Sequence, residues 1–159
     1  MRIILSTCDG QQTEFHLLEP GVMRQGPAIP CFRCGECCVN RRPVLSKEDI
    51  ITMSQRLGMS LLSFYRKYIR RHPSKPKAYI FWQCVGDCPF LQRQGEEALC
   101  AIHEFKPAAC RAWTPSLWRD ECLTGLKKRL NGLDIVAPHQ IYSSAEELAA
   151  FCRSLAEGG

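Results

Sequence analysis

Clustered cysteines are the residues in this chain whose type and spacing most clearly point to chemistry. Two residues between successive cysteines allow a short turn to bring their sulfurs onto one metal ion or cluster. Packing in a core does not call for such a density of thiols. The run comprises four cysteines within eight residues, Cys31, Cys34, Cys37 and Cys38. The candidate ligands in the second half are Cys84, Cys88, Cys100 and Cys110.

The spacing of the run favours an iron–sulfur cluster over zinc. A bacterial ferredoxin-type cluster uses C-x2-C-x2-C-x3-C-P. Cys31, Cys34 and Cys37 match its first three positions, whereas the fourth is replaced by the adjacent Cys38, and Arg41 stands at the expected place. Structural zinc more often uses two CxxC pairs separated by a spacer. The expected cofactor is therefore an iron–sulfur cluster, with zinc as the alternative.

The fourth ligand must come from elsewhere in the chain, and Cys88, Cys100 and Cys110 are the candidates. Neighbouring Cys37 and Cys38 point apart in an extended chain, so one of them could serve a different site. Eight thiols could also hold two ions. Cys152, near the end of the chain, is expected to be a plain buried thiol.

Length and charge narrow the class of protein. A chain of 159 residues suits one domain, 1–159, and its apolar runs fall short of the roughly 18 residues of a membrane span. No export signal is visible, so we expect a cytoplasmic protein with reduced thiols. The net charge of +5 becomes smaller when a metal binds, because a divalent ion with four thiolates carries two negative charges. This argues against a nucleic-acid partner.

Periodicity and turn signals predict a small α+β domain in which irregular cysteine-rich loops pack with several helices. Residues 1–20 form an N-terminal β-hairpin, with its turn at Asp9 and Gly10. Ser46 begins a helix that stops at Gly58. Ser60 begins a second helix, which continues to the proline at position 73, and 77–83 is a strand. Residues 84–113 are loop with short helical pieces, and helices fill 115–159.

Together the cysteine blocks resemble the CxxCxxCC family of zinc- or iron-chelating proteins, also called YkgJ-like cysteine-cluster proteins. The run at 31–38 has the family's CxxCGxCC form, and Leu-Ser-x-x-Asp follows at 45–49. Cys-Pro-Phe-Leu stands at 88–91, Cys-x-Ile at 100–102 and Pro-x-x-Cys-Arg at 107–111. Two positions depart from the family pattern, with His103 in place of Tyr and Lys106 in place of Arg.

The resemblance, which covers about 31–113, implies chelation of iron or zinc without implying one reaction. The first hypothesis is a metal-binding protein with an electron-transfer, metal-handling or structural role and an unknown redox or protein partner. The second is a small metalloenzyme of redox or methyl-transfer type, since flagellin-lysine methylases share this cysteine region. A closed four-cysteine centre favours the first. An exchangeable position beside His103 or Glu104 favours the second. Arg111, next to Cys110, is expected to bond a thiolate.

Overall fold

Short helices and short strands alternate in the computed structural model, which describes residues 2–6, 12–16, 28–83, 86–95, 97–131 and 135–157. The helices are α1 (Glu36–Asn40), α2 (Lys47–Arg56), α3 (Leu61–Tyr68), α4 (Ala108–Arg111), α5 (Asp120–Arg129) and α6 (Ala145–Glu157). The strands are β1 (Arg2–Ser6), β2 (Gln12–His16), β3 (Ile69–Arg71), β4 (Tyr79–Phe81), β5 (Leu91–Gln94), β6 (Glu97–Cys100) and β7 (Ile135–Val136). The α+β class predicted from the sequence is confirmed.

The chain divides into two compact units, Met1–Glu36 with Thr114–Gly159, and Cys37–Trp113. In the first unit β1 pairs with β2 antiparallel, as the hairpin prediction requires, with Ile4 opposite Glu14. The predicted turn at Asp9 and Gly10 lies outside the described residues. The sequence did not indicate that β7 would add to the other edge of β1, in parallel, with Ile4 opposite Ile135.

Side-chain caps explain where α2 and α3 begin. The Ser46 hydroxyl accepts from the Asp49 N–H at 3.0 Å, and the Asp49 carboxylate accepts from the Ser46 N–H at 3.0 Å, which is a capping box. Ser60 caps α3 by accepting from the Ser63 N–H at 3.2 Å. Between the two helices the chain turns at Gly58, whose φ of 64° suits glycine.

The second helix is shorter than predicted. Helix α3 ends at Tyr68, and the next three residues form β3, which pairs antiparallel with β4. Ile69 lies opposite Phe81 and is fully buried there. The pairing of β3 with β4 ends the helix before the proline, although the local pattern of residues is helical up to that point.

The second unit has an aromatic and aliphatic core on which the cysteine loops rest. Phe90 stacks on Phe64 with ring centroids 6.4 Å apart and meets Phe81 edge-on at 5.4 Å. Cys88 and Cys100 pack against this core as partly buried side chains. The buried members are Leu45, Ile50, Met53, Phe64, Ile69, Phe81, Phe90 and Ile102.

The first unit buries one face of α5 and the aromatic side chains near α6. Helix α5 begins at Asp120 instead of at the predicted Pro115, because a turn precedes it in which the Arg119 N–H bonds the Ser116 carbonyl at 3.1 Å. Leu126 is fully buried, and Tyr142 meets Phe151 of α6 with ring centroids 5.1 Å apart. Among the described residues, no helix combines the length and apolarity that crossing a bilayer takes.

Candidate metal centre

The cysteine run is half loop and half helix. Residues 31–35 are irregular, and α1 begins at Glu36, so Cys37 and Cys38 lie on a helix instead of the predicted loop. The boundary between the two compact units falls within the run, between Glu36 and Cys37.

In the second unit the thiols of Cys37, Cys100 and Cys110 are close enough to Cys88 to affect its pKa, and the four residues lie on separate segments of the chain. The pKa of Cys88 is raised to about 11, mainly by burial and to a smaller extent by the nearby Cys100, Cys110 and Cys37 thiolates. Burial likewise raises the pKa of Cys110, and Cys100 and Cys37 add to that rise. Mutual repulsion of this kind marks a set of thiols that a cation would stabilise.

The β5–β6 hairpin positions two of these thiols. Cys100 ends β6 directly opposite Leu91, the first residue of β5. Cys88 lies in the turn just before β5, where its carbonyl accepts from the Leu91 N–H at 3.0 Å. The Phe90 backbone hydrogen-bonds the Cys88 thiolate and opposes the rise of its pKa. The turn is thus built so that a backbone N–H faces the sulfur, which tunes a thiolate ligand.

A backbone bond ties the Cys88 turn to α1. The Cys88 N–H donates to the Cys38 carbonyl at 2.9 Å, so the turn is held beside the helix that carries Cys37. The role of Cys38 seen here is that of a backbone acceptor. Cys84 lies outside the described residues.

Asp49 fixes the helix that carries Cys110. Its second carboxylate oxygen accepts from the Ala108 N–H, the first residue of α4, at 2.9 Å across 59 positions of sequence. The same carboxylate caps α2, and the residue is buried. Sequence reasoning placed Asp49 only at the start of a helix and missed this tie. The signal available was its place in the Leu-Ser-x-x-Asp motif.

A cationic side chain beside Cys110 was also missed. The Arg41 guanidinium counteracts the effect of burial on the Cys110 pKa, and Lys106 does so more weakly. Arg41 stacks 4.0 Å from the centroid of the Trp113 ring. Arg111, which was expected to bond a thiolate, donates instead to the Lys106 carbonyl. Arg41 is therefore the larger of two positive charges that act on Cys110.

The other candidate residues belong to other segments of the chain. Cys31 and Cys34 belong to the first compact unit. Cys152 is disulfide-bonded, so the expectation of a plain thiol was wrong. His103 is exposed on a short 3-10 helix, His103–Phe105, and Glu104 pairs with Arg56 at 3.6 Å.

The donor set fits zinc or iron by its chemistry. Eight described cysteines carry thiols, which are Cys31, Cys34, Cys37, Cys38, Cys88, Cys100, Cys110 and Cys122. Within the residues that the structure describes, no three His, Cys, Asp or Glu side chains already stand around one point as an ion requires. Soft thiolates of this kind select zinc, copper(I) or iron–sulfur clusters.

Clustered thiols on short elements, held by backbone bonds and a charged neighbour, define a class of cysteine-rich metal-chelating domains. The family model CxxCxxCC, described as "Putative zinc- or iron-chelating domain", matches residues 30–134. The chain belongs to this family, which confirms the resemblance seen in the sequence. No curated protein and no solved structure is significantly similar to the chain.

Proposed function

We propose that this protein holds an iron–sulfur cluster on Cys37, Cys88, Cys100 and Cys110 and uses it in electron transfer or metal handling, or as a structural centre. The observation that supports the proposal is that Cys37 and Cys100 help to raise the pKa values of both Cys88 and Cys110, beside the larger effect of burial, which indicates that these thiols are neighbours. Four cysteine thiolates are the usual ligand set of such clusters. A single zinc ion is the alternative occupant of the same set.

The surroundings of the four thiols suit a negatively charged cluster. Arg41 and Lys106 provide positive charge next to Cys110, and the Phe90 backbone bonds the Cys88 sulfur. Charge and hydrogen bonds to sulfur are among the properties that set the potential of a cluster. We propose a cytoplasmic location, where thiols remain available as ligands, although the disulfide at Cys152 is a bond that a reducing compartment disfavours. The partner would be a redox protein or a metal-transfer protein.

A metalloenzyme is the second possibility, and it would need an exchangeable coordination position beside His103 or Glu104. His103 is exposed, and Glu104 is engaged with Arg56. Since neither observation favours such a position, metal binding without assigned catalysis remains the proposal.

The test is anaerobic purification followed by iron, zinc and acid-labile sulfide analysis and a visible absorption spectrum. We expect a brown protein with sulfide, and Cys110→Ser should lose the absorption while remaining folded. Arg111→Ala, next to the proposed ligand, is the matched control and should retain the cluster. A colourless wild-type protein with stoichiometric zinc and no sulfide would refute the iron–sulfur assignment. A protein that retains its cluster in Cys110→Ser would refute the ligand set.

A further inference from the structure

Positive charge is concentrated in one part of the second unit, around α3 and the hairpin of β3 and β4. Residues 50–86 contain seven basic residues and no aspartate or glutamate. Six of the seven lie between the start of α3 and the end of β4, and five of these six side chains are exposed. The six residues are Arg66, Lys67, Arg70, Arg71, Lys75 and Lys77. Protein surfaces ordinarily mix the two signs of charge, so a surface of one sign attracts ligands of the opposite sign.

None of these six side chains pairs with a carboxylate in the part of the chain that the structure describes. The ion pairs in that part belong to other basic residues. Lys67 lies over the Tyr68 ring at 5.0 Å, and the Arg70 guanidinium lies 3.2 Å from the centroid of the Trp82 ring. Because no described acidic side chain neutralises this charge, it can attract an anionic partner from solution.

Exposed apolar side chains lie among these charges. Leu62 is 59% exposed and shares a face of α3 with Arg66, four residues further on. The Arg70 guanidinium donates to the Arg66 carbonyl at 3.2 Å and covers the ring of Trp82, which is itself 42% exposed. These contacts join Leu62, Arg66, Arg70 and Trp82 into one continuous surface, the basic strip, in which two arginines lie between two apolar side chains.

Backbone pairing fixes the hairpin beside the basic strip. The His72 N–H donates to the Ala78 carbonyl at 2.9 Å, and the Trp82 N–H donates to the Tyr68 carbonyl at 2.7 Å. These bonds extend the pairing of β3 with β4 at both ends. The loop at the tip carries two exposed lysines. A surface on a paired hairpin and a helix is ordered before a partner arrives, which lowers the entropic cost of binding.

The contacts of the aromatic rings favour a protein over a nucleic acid as the partner. Proteins that bind single-stranded nucleic acids stack the bases on aromatic rings. Here Arg70 lies over Trp82 and Lys67 lies over Tyr68, so these cations compete with bases for the ring faces. Arginine and tryptophan are among the residues enriched at protein interfaces and their hot spots.

The packing of α3 disfavours a lipid surface as the partner. A helix that lies on a bilayer inserts an apolar face along its length. The apolar face of α3 includes Phe64, which is fully buried, and Tyr68, which packs on Phe90 with ring centroids 4.9 Å apart. That face is engaged in the core of the second unit, and the exposed Leu61 and Leu62 occupy only the first turn.

We propose that the basic strip and the adjoining hairpin form a docking surface for an acidic partner protein. Carboxylates of the partner meet the arginines and lysines, and its apolar side chains cover Leu62 and the exposed part of Trp82. Complementary charge steers the encounter and sets the orientation, and burial of apolar surface adds affinity. The proposal goes beyond metal binding and does not depend on which metal the cysteines hold.

The experiment measures, by fluorescence anisotropy, how the full chain binds two fluorescein-labelled acidic peptides of equal charge. One peptide repeats Glu-Glu-Leu and the other repeats Glu-Glu-Ser. We expect the leucine peptide to bind about fivefold more tightly, because it can bury apolar surface against the strip. Added sodium chloride should weaken both complexes. Equal affinity for the two peptides, or no binding of either, would overturn the proposal.

Charge reversal locates the binding surface. Arg66→Glu should weaken binding of the leucine peptide about tenfold, since it places a like charge opposite the carboxylates. Arg153→Glu, an exposed arginine of α6 in the first unit, makes the same change in net charge and should leave binding within about twofold. Equal losses in the two variants would show that net charge alone drives binding and would refute the docking surface.

A second variant tests the apolar part of the strip. Leu62→Ser should weaken the leucine peptide about fivefold and leave the serine peptide unchanged, and both variant positions on α3 are exposed, so the fold should be retained by circular dichroism. An oligouridylate of matched charge and vesicles that contain phosphatidylserine are the competing partners. Weaker binding of both than of the leucine peptide would support a protein partner. Tighter binding of either, lost in Arg66→Glu, would overturn that choice.

Discussion

Replacing Asp49 should both destabilise the second unit and weaken metal binding at the proposed set, because one carboxylate serves two helices. In Asp49→Ala the Ala108 N–H at the start of α4 loses a charged acceptor at 2.9 Å. A hydrogen bond to a charged group contributes about 1.5–3 kcal/mol. The bond to the Ser46 N–H is lost as well. We therefore expect a loss of about 2–4 kcal/mol in the free energy of unfolding of the metal-free protein.

Ser46→Ala is the matched control, since it removes the cap of α2 and leaves the tie to α4 intact. It should cost about 1 kcal/mol. Urea unfolding followed by circular dichroism gives both stabilities. Metal affinity, measured by competition with a chromophoric chelator, should fall about 10- to 100-fold in Asp49→Ala. It should hardly change in Ser46→Ala. Equal losses in the two variants, in stability and in affinity, would show that the tie between Asp49 and α4 has no energetic weight.

Two other predictions concern the charges around the proposed set. Arg41→Gln removes the cation next to Cys110 and should weaken metal binding up to about tenfold. The control Arg42→Gln, at the exposed neighbouring position, should not weaken it. Chelator competition measures both affinities, and equal affinities in the two variants would contradict the role of Arg41. Cys88 in the folded metal-free protein keeps its proton up to about pH 11, while the same thiol in the unfolded chain ionises near its ordinary 9.0. Unfolding therefore releases a proton in this window, so stability should fall as the pH rises from 9 to 11, by about 1–2 kcal/mol after allowance for the thiol's contact with solvent. Urea unfolding at several pH values measures this slope, and a slope that is unchanged in Cys88→Ala would rule out the thiol as its source.

Local signals in the sequence correctly predicted those helices and strands whose ends are set by residues adjacent in the sequence. Ser46 and Ser60 cap helices as expected, and the first hairpin pairs as its alternation of apolar residues indicates. The β5–β6 hairpin was expected to be loop. Its first strand reads Leu-Gln-Arg-Gln and has one apolar residue, so it lacks the alternation that predicts a strand.

The parts of the candidate site that could not be predicted depend on contacts between distant residues. The Asp49 bond to Ala108 spans 59 positions, and no local pattern encodes which backbone N–H a carboxylate meets. The packing of Cys34 against Gly125 is equally remote in sequence. The blocks of the CxxCxxCC family did identify the cysteines as a group, although they did not indicate which of them are neighbours.

The separation of the four thiols along the chain has a consequence for the order in which the proposed centre would assemble. Cys88, Cys100 and Cys110 follow one another at intervals of 12 and 10 residues, whereas Cys37 lies 51 residues before Cys88. By the logarithmic dependence of loop closure on length, recruiting Cys37 costs about 1.3 kcal/mol more than closing the 12-residue loop. We therefore expect the last three thiols to capture a metal ion early in refolding and the cysteine of α1 to complete the shell. The test is stopped-flow refolding with cobalt(II), in which absorption from thiolate to metal reports binding. If this absorption appears at the same rate in Cys37→Ser as in the wild type, the order is supported. If it does not appear at all in Cys37→Ser, the order is contradicted.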